Sequence, residues 1–194
     1  NDQTVKKQVI VELASGAGRR ILFMRTKHHA RKLAKTLTDA GIPAVDLHGN
    51  LSQNARTRNL AAFDSGKVQT LVATDIAARG IHVDDVALVV HADPPVEHKA
   101  YLHRSGRTAR AGHCGTVVTL VSPDQHDEVK QMMRKAGIRP TVAVADRQIY
   151  EYVDEGTYED GQWVFRRRWN GDQTDYGLNF SSVPQLLRVK LATY

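Results

Sequence analysis

The sequence predicts an α/β protein, with a parallel sheet covered by helices on both faces and a small antiparallel β appendage after it. Three observations carry this. Short Val/Ile/Leu-rich runs alternate with amphipathic stretches up to residue 137. Charge and aromatic content then change abruptly near residues 140–150. Beyond that break, turn signals punctuate an aromatic and polar alternation.

The elements follow in order. "VKKQVIVELASG" (5–16) reads as an opening helix, and "RILFM" (20–24) as a buried strand bounded by charge. "HHARKLAKTLTDAG" (28–41) has apolar residues at 30, 34 and 37 and a glycine C-cap at Gly41. "AVDLH" (44–48) is the next strand. "SQNARTRNLAAFDSG" (52–66) offers Ser52 as an N-cap, Leu60 and Phe63 on one face, and a glycine stop. "TLVATD" (70–75) and "VALVVHAD" (86–93) are further strands. "EHKAYLHRS" (97–105) is helical, "GTVVTLVS" (115–122) a strand and "DQHDEVKQMMRKAG" (124–137) a helix. In such a sheet the functional loops lie at the carboxyl ends of the strands.

The break defines two segments. Residues 1–145 hold 21 Lys+Arg and 13 Asp+Glu, whereas 146–194 hold 6 and 8, so the net charge changes from +8 to −2. Only Phe23, Phe63 and Tyr101 are aromatic before residue 146, and nine aromatics follow it, Trp163 and Trp169 among them. The expected domains are therefore 1–145 and 146–194. In the second, Glu159-Asp160-Gly161 and Asn170-Gly171-Asp172 are hairpin signals, giving three or four antiparallel strands. The run Arg166-Arg167-Arg168 reads either as a charged strand or as part of an aromatic-basic nucleic-acid platform.

Several classes are disfavoured. No apolar run approaches a membrane span, and no basic-then-apolar leader opens the chain. The single cysteine, Cys114, cannot form an internal disulfide; it fits a reducing, cytoplasmic setting and a small core role. The histidines are scattered, and His28-His29 fits an exposed helix rather than a metal site.

Polar clusters fall at the expected strand ends. Thr74-Asp75 is either a helix N-cap or a ligand contact, and "AARG" (77–80) follows it. "YLHRSGRTARAGHCG" (101–115) spaces Arg104, Arg107 and Arg110 three apart. They form either a solvated basic face or a set of guanidinium forks suited to phosphate oxygens, with flanking glycines allowing close approach.

These residues also carry a resemblance. "HRSGRTARAG" resembles motif VI of the DEAD-box RNA helicases, "VATDIAARGI" motif V, "ILFMRTK" motif IV and "LHGNLSQNARTRNLAAFDSGK" the segment after it. "HADPPVEHKAYLHR" is similar to the stretch leading into motif VI. Order and spacing agree over about residues 5–140. The resemblance implies the second, C-terminal RecA-like domain of a bacterial DEAD-box helicase. It implies that Arg107 and Arg110 reach the γ-phosphate of ATP held on the first domain, where such fingers stabilise charge during phosphoryl transfer. His103 would couple ATP to the interface between domains, and Arg104 would be structural or interfacial. Arg56, Thr74, Arg79 and Gly80 would hold a single-stranded RNA backbone, and Asp75 would order the loop. Where the family places a ribose-binding aspartate in motif V, this chain has His82, a different reach and a different charge.

Other parts of the family's site are missing from the sequence. There is no GxxxxGK[ST] loop and no Asp-Glu-Ala-Asp stretch, and "SGAGRR" (15–20) is glycine-rich but precedes a strand. ATP with Mg²⁺ is thus expected only together with the first RecA-like domain, and the chain alone is expected to bind none and hydrolyse none. "GQWVFRRRWNGDQTDYGLNF" and "LLRVKLATY" resemble the C-terminal β-rich end of bacterial β-galactosidase-like glycoside hydrolases. That makes the chain a possible chimera. Two readings stand. One is the RNA-binding, ATP-site-completing half of a helicase, with single-stranded RNA and the first RecA-like domain as partners. The other is an engineered or chimeric structural protein whose tail packs on the sheet or drives self-association.

Overall fold

The computed structural model of the chain describes residues 2–81, 83, 86–109, 115–138, 141–144, 154–159, 162–169, 172–175 and 187–193. Residues 1–147 with 185–194 form one compact unit and 148–184 a second.

The first unit is built on a parallel sheet. Its elements in chain order are α1 Asp2–Ser15, β1 Arg20–Phe23, α2 Lys27–Asp39, β2 Ala44–Leu47, α3 Gln53–Asp64, β3 Thr70–Ala73, α4 Asp75–Ala78, β4 Leu88–His91, α5 His98–Ser105, β5 Gly115–Val121, α6 His126–Lys135 and β6 Thr141–Val144. The second unit holds β7 Asp154–Glu159, β8 Gln162–Trp169 and β9 Asp172–Asp175. The first unit then takes a last strand, β10 Leu187–Thr193. The sheet order is β2-β3-β1-β4-β5-β10-β6, and all its pairings are parallel.

Alternation along the strands sorts the core into two layers. Ile21, Phe23, Leu71, Ala73, Val89, Val117 and Val121 join Phe63 of α3, Ala77 and Ala78 of α4, Tyr101 of α5 and Met133 of α6. Leu22, Val72, Val90, Val118 and Leu120 join α1 through Val9, Ile10 and Ala14, and α2 through Ala30, Leu33, Ala34 and Leu37. Burying Leu33 and Leu37 alone contributes about 1.5–3 kcal/mol each.

Local signals account for the helix ends. Thr26 Oγ1 accepts from His29 N (3.2 Å) to start α2, and Ser52 Oγ accepts from Ala55 N (3.3 Å) to start α3. α2 stops at Gly41 (φ 82°), where Ile42 N returns to Leu37 O at 2.9 Å. The stretch read as one helix over 124–137 begins instead with a 3₁₀ turn, Pro123–Gln125. Ser122 and Gln125 form a capping box there, and α6 starts only at His126.

The glycine-rich "SGAGRR" turns its carbonyls inward. Arg20, buried, donates to Ala14 O, Gly16 O and Gly18 O. Burial lowers its pKa. A phosphate cradle presents N–H groups, so this loop has the opposite polarity to an anion site.

In the second unit β8 pairs antiparallel with β7 and β9. The register sets Glu155 and Asp175 on either side of Arg166, and Asp154 opposite Arg167. Complementary charges at paired positions are what a charged strand needs. The closing segment, grouped with the tail by composition, departs from the antiparallel expectation. β10 lies parallel between β5 and β6, with Leu187–Thr193 in register with Gly115–Val121.

Candidate functional site

The site grows from the carboxyl ends of the strands. β1 ends at Phe23, β3 runs into Thr74 and α4, and β4 ends at His91 just before Asp93. Thr74 is the N-cap residue of α4, but its hydroxyl makes no capping bond; its N–H donates to Leu47 O (3.1 Å) and fastens the end of β3 to β2. Phe23, Asp75, Ala78, Arg79, Ala100, His103, Arg104 and Arg107 line one open cleft.

Arg104 organises that cleft from below. It is 3% exposed, and its Nε and Nη2 donate to Asp75 Oδ1 and Oδ2 at 2.6 and 2.7 Å. Nη1 donates to Asp93 O at 2.7 Å, and the guanidinium carbon lies 5.2 Å from the centroid of Phe23. The bidentate fork joins α5 to α4 and to the end of β4. Of the three spaced arginines, Arg104 therefore points inward and has its donors engaged, and Asp75 orders the loop that carries Arg79.

The other sequence-derived residues fall in different places. Arg79 and His103 are exposed on the cleft. Arg107 is half-buried and donates to Ile81 O at 2.7 Å. Arg56, which the resemblance assigns to RNA, is half-buried and donates to Ala77 O at 3.0 Å, tying α3 to α4. Gly80 has φ 71° with open space where a side chain would stand, so backbone conformation requires the glycine there. His28 and His29 are exposed on α2. Arg110, His82 and Cys114 lie outside the described residues. Among the described residues no group of three or more His, Cys, Asp or Glu is placed to hold a metal ion, and no helix is long and apolar enough to cross a membrane.

Sequence reasoning missed the support behind α5. His91 is wholly buried, with Nδ1 3.1 Å from Thr119 Oγ1 and its ring edge-on to Tyr101, 4.9 Å between centroids. Burial, helped by the charge of Arg104, holds its pKa well below the usual histidine value, and burial pushes the Tyr101 hydroxyl up to about 12. Three separate elements contribute these side chains, so no local pattern could have shown them. Asp93 was visible as a strand-end residue, but its partner, Lys6 of α1 at 2.9 Å, was not. Burial would raise the Asp93 pKa, yet the hydrogen bond from Arg25 N and the charge of Lys6 outweigh it and lower the pKa. After α5, Thr108 is buried and bonds Val86 O, and Ala109 adopts a left-handed φ of 56°. Gly115 is required beside them, because a Cβ there would overlap Thr108 Oγ1 and the Ala109 amide.

A parallel sheet carrying an arginine-lined cleft, with "ATDIAARG" and "HRSGRTAR" around it, can be set beside known proteins. The family model for the helicase conserved C-terminal domain matches residues 4–112. The chain belongs to that family. DEAD-box ATP-dependent RNA helicase 7 of Spinacia oleracea is 41% identical over 130 residues, covering 67% of this chain and 18% of that protein. The ATP-dependent rRNA helicase RRP3 of Eremothecium gossypii is 49% identical over 102 residues, covering 53% and 21%. The chain thus spans about a fifth of the length of these curated helicases. Among solved structures, the E. coli DEAD-box protein SrmB bound to RraA matches with a TM-score of 0.63 and 39% identity, covering 71% of this chain and 79% of that one. S. cerevisiae Dbp5 bound to RNA and ADP BeF3 matches with a TM-score of 0.69 and 29% identity, covering 75% and 40%. The first unit is accordingly a C-terminal RecA-like helicase domain of the DEAD-box type.

Proposed function

We propose that the chain is the RNA-backbone-binding, ATP-site-completing half of a bacterial DEAD-box RNA helicase, inactive without the first RecA-like domain. The observation that supports this is the cleft in which Arg79, His103 and Arg107 surround the pair formed by buried Arg104 and half-buried Asp75. Two exposed or half-exposed guanidinium groups beside an imidazole suit anionic oxygens. Asp75, the carboxylate in the cleft, is already neutralised by Arg104. The donor set therefore fits the phosphate end of ATP, with Arg107 and Arg110 as the fingers and His103 as the interdomain contact. Bound ATP with Mg²⁺ would supply the phosphoryl group, and most of its contacts would come from the other domain. Arg79, Thr74, Arg56 and Gly80 would lie along single-stranded RNA, where phosphate contacts give affinity without sequence choice. S. cerevisiae Dbp5, matched above, was solved with RNA and a nucleotide analogue. The tail, about residues 150–194, is on this reading a structural appendage of separate, glycoside-hydrolase-like origin.

RNA titration at several salt concentrations tests this. We expect single-stranded RNA to bind the full chain with a dissociation constant of about 1–100 µM and a slope of log K against log salt near −0.7 per contact. Arg79→Ala should reduce that slope by about 0.7. A salt-independent signal, or turnover of ATP by the chain alone, would sink the proposal.

A further inference from the structure

The outer face of α2 takes no part in the cleft. His28, Arg31, Lys32 and Lys35 stand at i, i+3, i+4 and i+7, so they share one stripe of the helix. Ala30, Leu33, Ala34 and Leu37 have the same spacing and form the buried stripe about 180° away. The four basic positions are all exposed. Lys35 meets Asp39 at 3.0 Å, a pair with both side chains more than half in solvent, whose attraction salt screens strongly. Among the described residues Arg31 and Lys32 meet no carboxylate.

We propose that this stripe is a second nucleic-acid backbone site, continuing the path of an RNA strand beyond the cleft. The inference rests on the RNA reading above. Three observations select the occupant. First, α2 starts at Lys27 with Thr26 as its N-cap, just after the carboxyl end of β1, and Lys27 Nζ donates to Asn50 Oδ1 (3.0 Å) in the loop that leads into α3 and Arg56. The amino end of the stripe therefore opens at the same carboxyl edge as the cleft, although α2 packs on the other face of the sheet, and a strand that bends over this edge meets it. Second, from His28 to Lys35 the stripe extends about 10 Å at 1.5 Å per residue. The three Lys and Arg side chains on that length, Arg31, Lys32 and Lys35, can each meet one phosphate of a strand laid along it. Third, the stripe has no exposed large apolar side chain to enter a lipid surface; among the described residues those are Ile76, Val96 and Leu102, on other elements.

The triple variant Arg31→Ala, Lys32→Ala, Lys35→Ala tests the proposal in the full chain. Alanine is the best helix former, so α2 is retained, and circular dichroism verifies this. Salt dependence is measured for a short oligonucleotide that fills only the carboxyl edge, and for one several times longer. The expected result is a slope smaller by about 2 for the long strand, three contacts at about 0.7 each, and no change for the short one. An unchanged slope on the long strand overturns the second site while leaving the first intact. Wild-type protein that binds neither strand overturns both. Competition by poly-glutamate as effective as by RNA of equal charge assigns the stripe to an acidic protein and overturns the nucleic-acid reading.

Discussion

Arg20 and Arg104 are buried at opposite ends of β1, the first as its opening residue and the second across the ring of its last, Phe23. Their partners differ in kind. Arg20 faces carbonyl oxygens, which solvate a cation without cancelling it, so burial depresses its pKa. Arg104 faces a carboxylate fork and one carbonyl. The first arrangement closes a loop on itself. The second joins three elements and sets the floor of a cleft. A cation held by carbonyls leaves nothing over for a ligand, whereas one held by Asp75 fixes the segment from which Arg79 projects.

That contrast can be broken at several points. The largest effect is expected on the Arg104 side, at Gly115→Ala, whose new methyl must displace Thr108 and the Ala109 backbone. A loss of about 3 kcal/mol or more in urea unfolding is expected, and a loss below about 1 kcal/mol would show that the turn after α5 yields easily. Arg104→Met comes next. It strands Asp75, but that carboxylate is 37% exposed and water can reach it, so about 2–3 kcal/mol is expected rather than the full cost of an orphaned buried ion. Adding Asp75→Leu to that variant should recover part of the loss; a purely additive double variant would mean that the pair is not coupled.

Acid sharpens the comparison further, because His91 stands on the Arg104 side. Its native pKa is lowered, so below the ordinary value of 6.5 the unfolded chain takes up a proton that the fold refuses. Stability thus falls as pH drops, by up to about 2 kcal/mol between pH 7 and pH 5. His91→Asn should abolish that dependence, and an identical pH profile in the variant would exonerate the histidine. The smallest effect belongs to Arg20→Met. The freed Gly16 and Gly18 carbonyls lie in an exposed loop and can hydrate, while Ala14 O belongs to a buried residue of α1, so about 1–2 kcal/mol is expected by thermal unfolding, with RNA affinity unchanged.

What the sequence revealed follows the range of each interaction. Ser52 and Gly41 mark helix ends through bonds to residues three to five away, so they were readable. The sorting of strands was readable from period and composition. The tie of Arg56 to Ala77 was not readable, because it crosses 21 positions. The His91–Thr119 contact needs β4 and β5 already side by side. "LRVKLAT" has the alternation of a strand, but alternation does not state which edge a strand joins or in which direction. Of the cleft, the residue types were legible, while the inward turn of Arg104 and its grip on Asp93 O were not.

The place of β10 has a consequence for synthesis. β5 and β6 emerge from the ribosome with a gap between them, and the strand that fills it is made only after the whole 148–184 unit has appeared. Closing a loop of that length costs entropy that no local contact returns, so the far side of the sheet assembles late. Until then the facing edges of β5 and β6 are open to any strand of suitable pattern. Nascent chains stalled before residue 187 should for that reason be the aggregation-prone population in vectorial folding, and a chaperone would meet the protein at that stage.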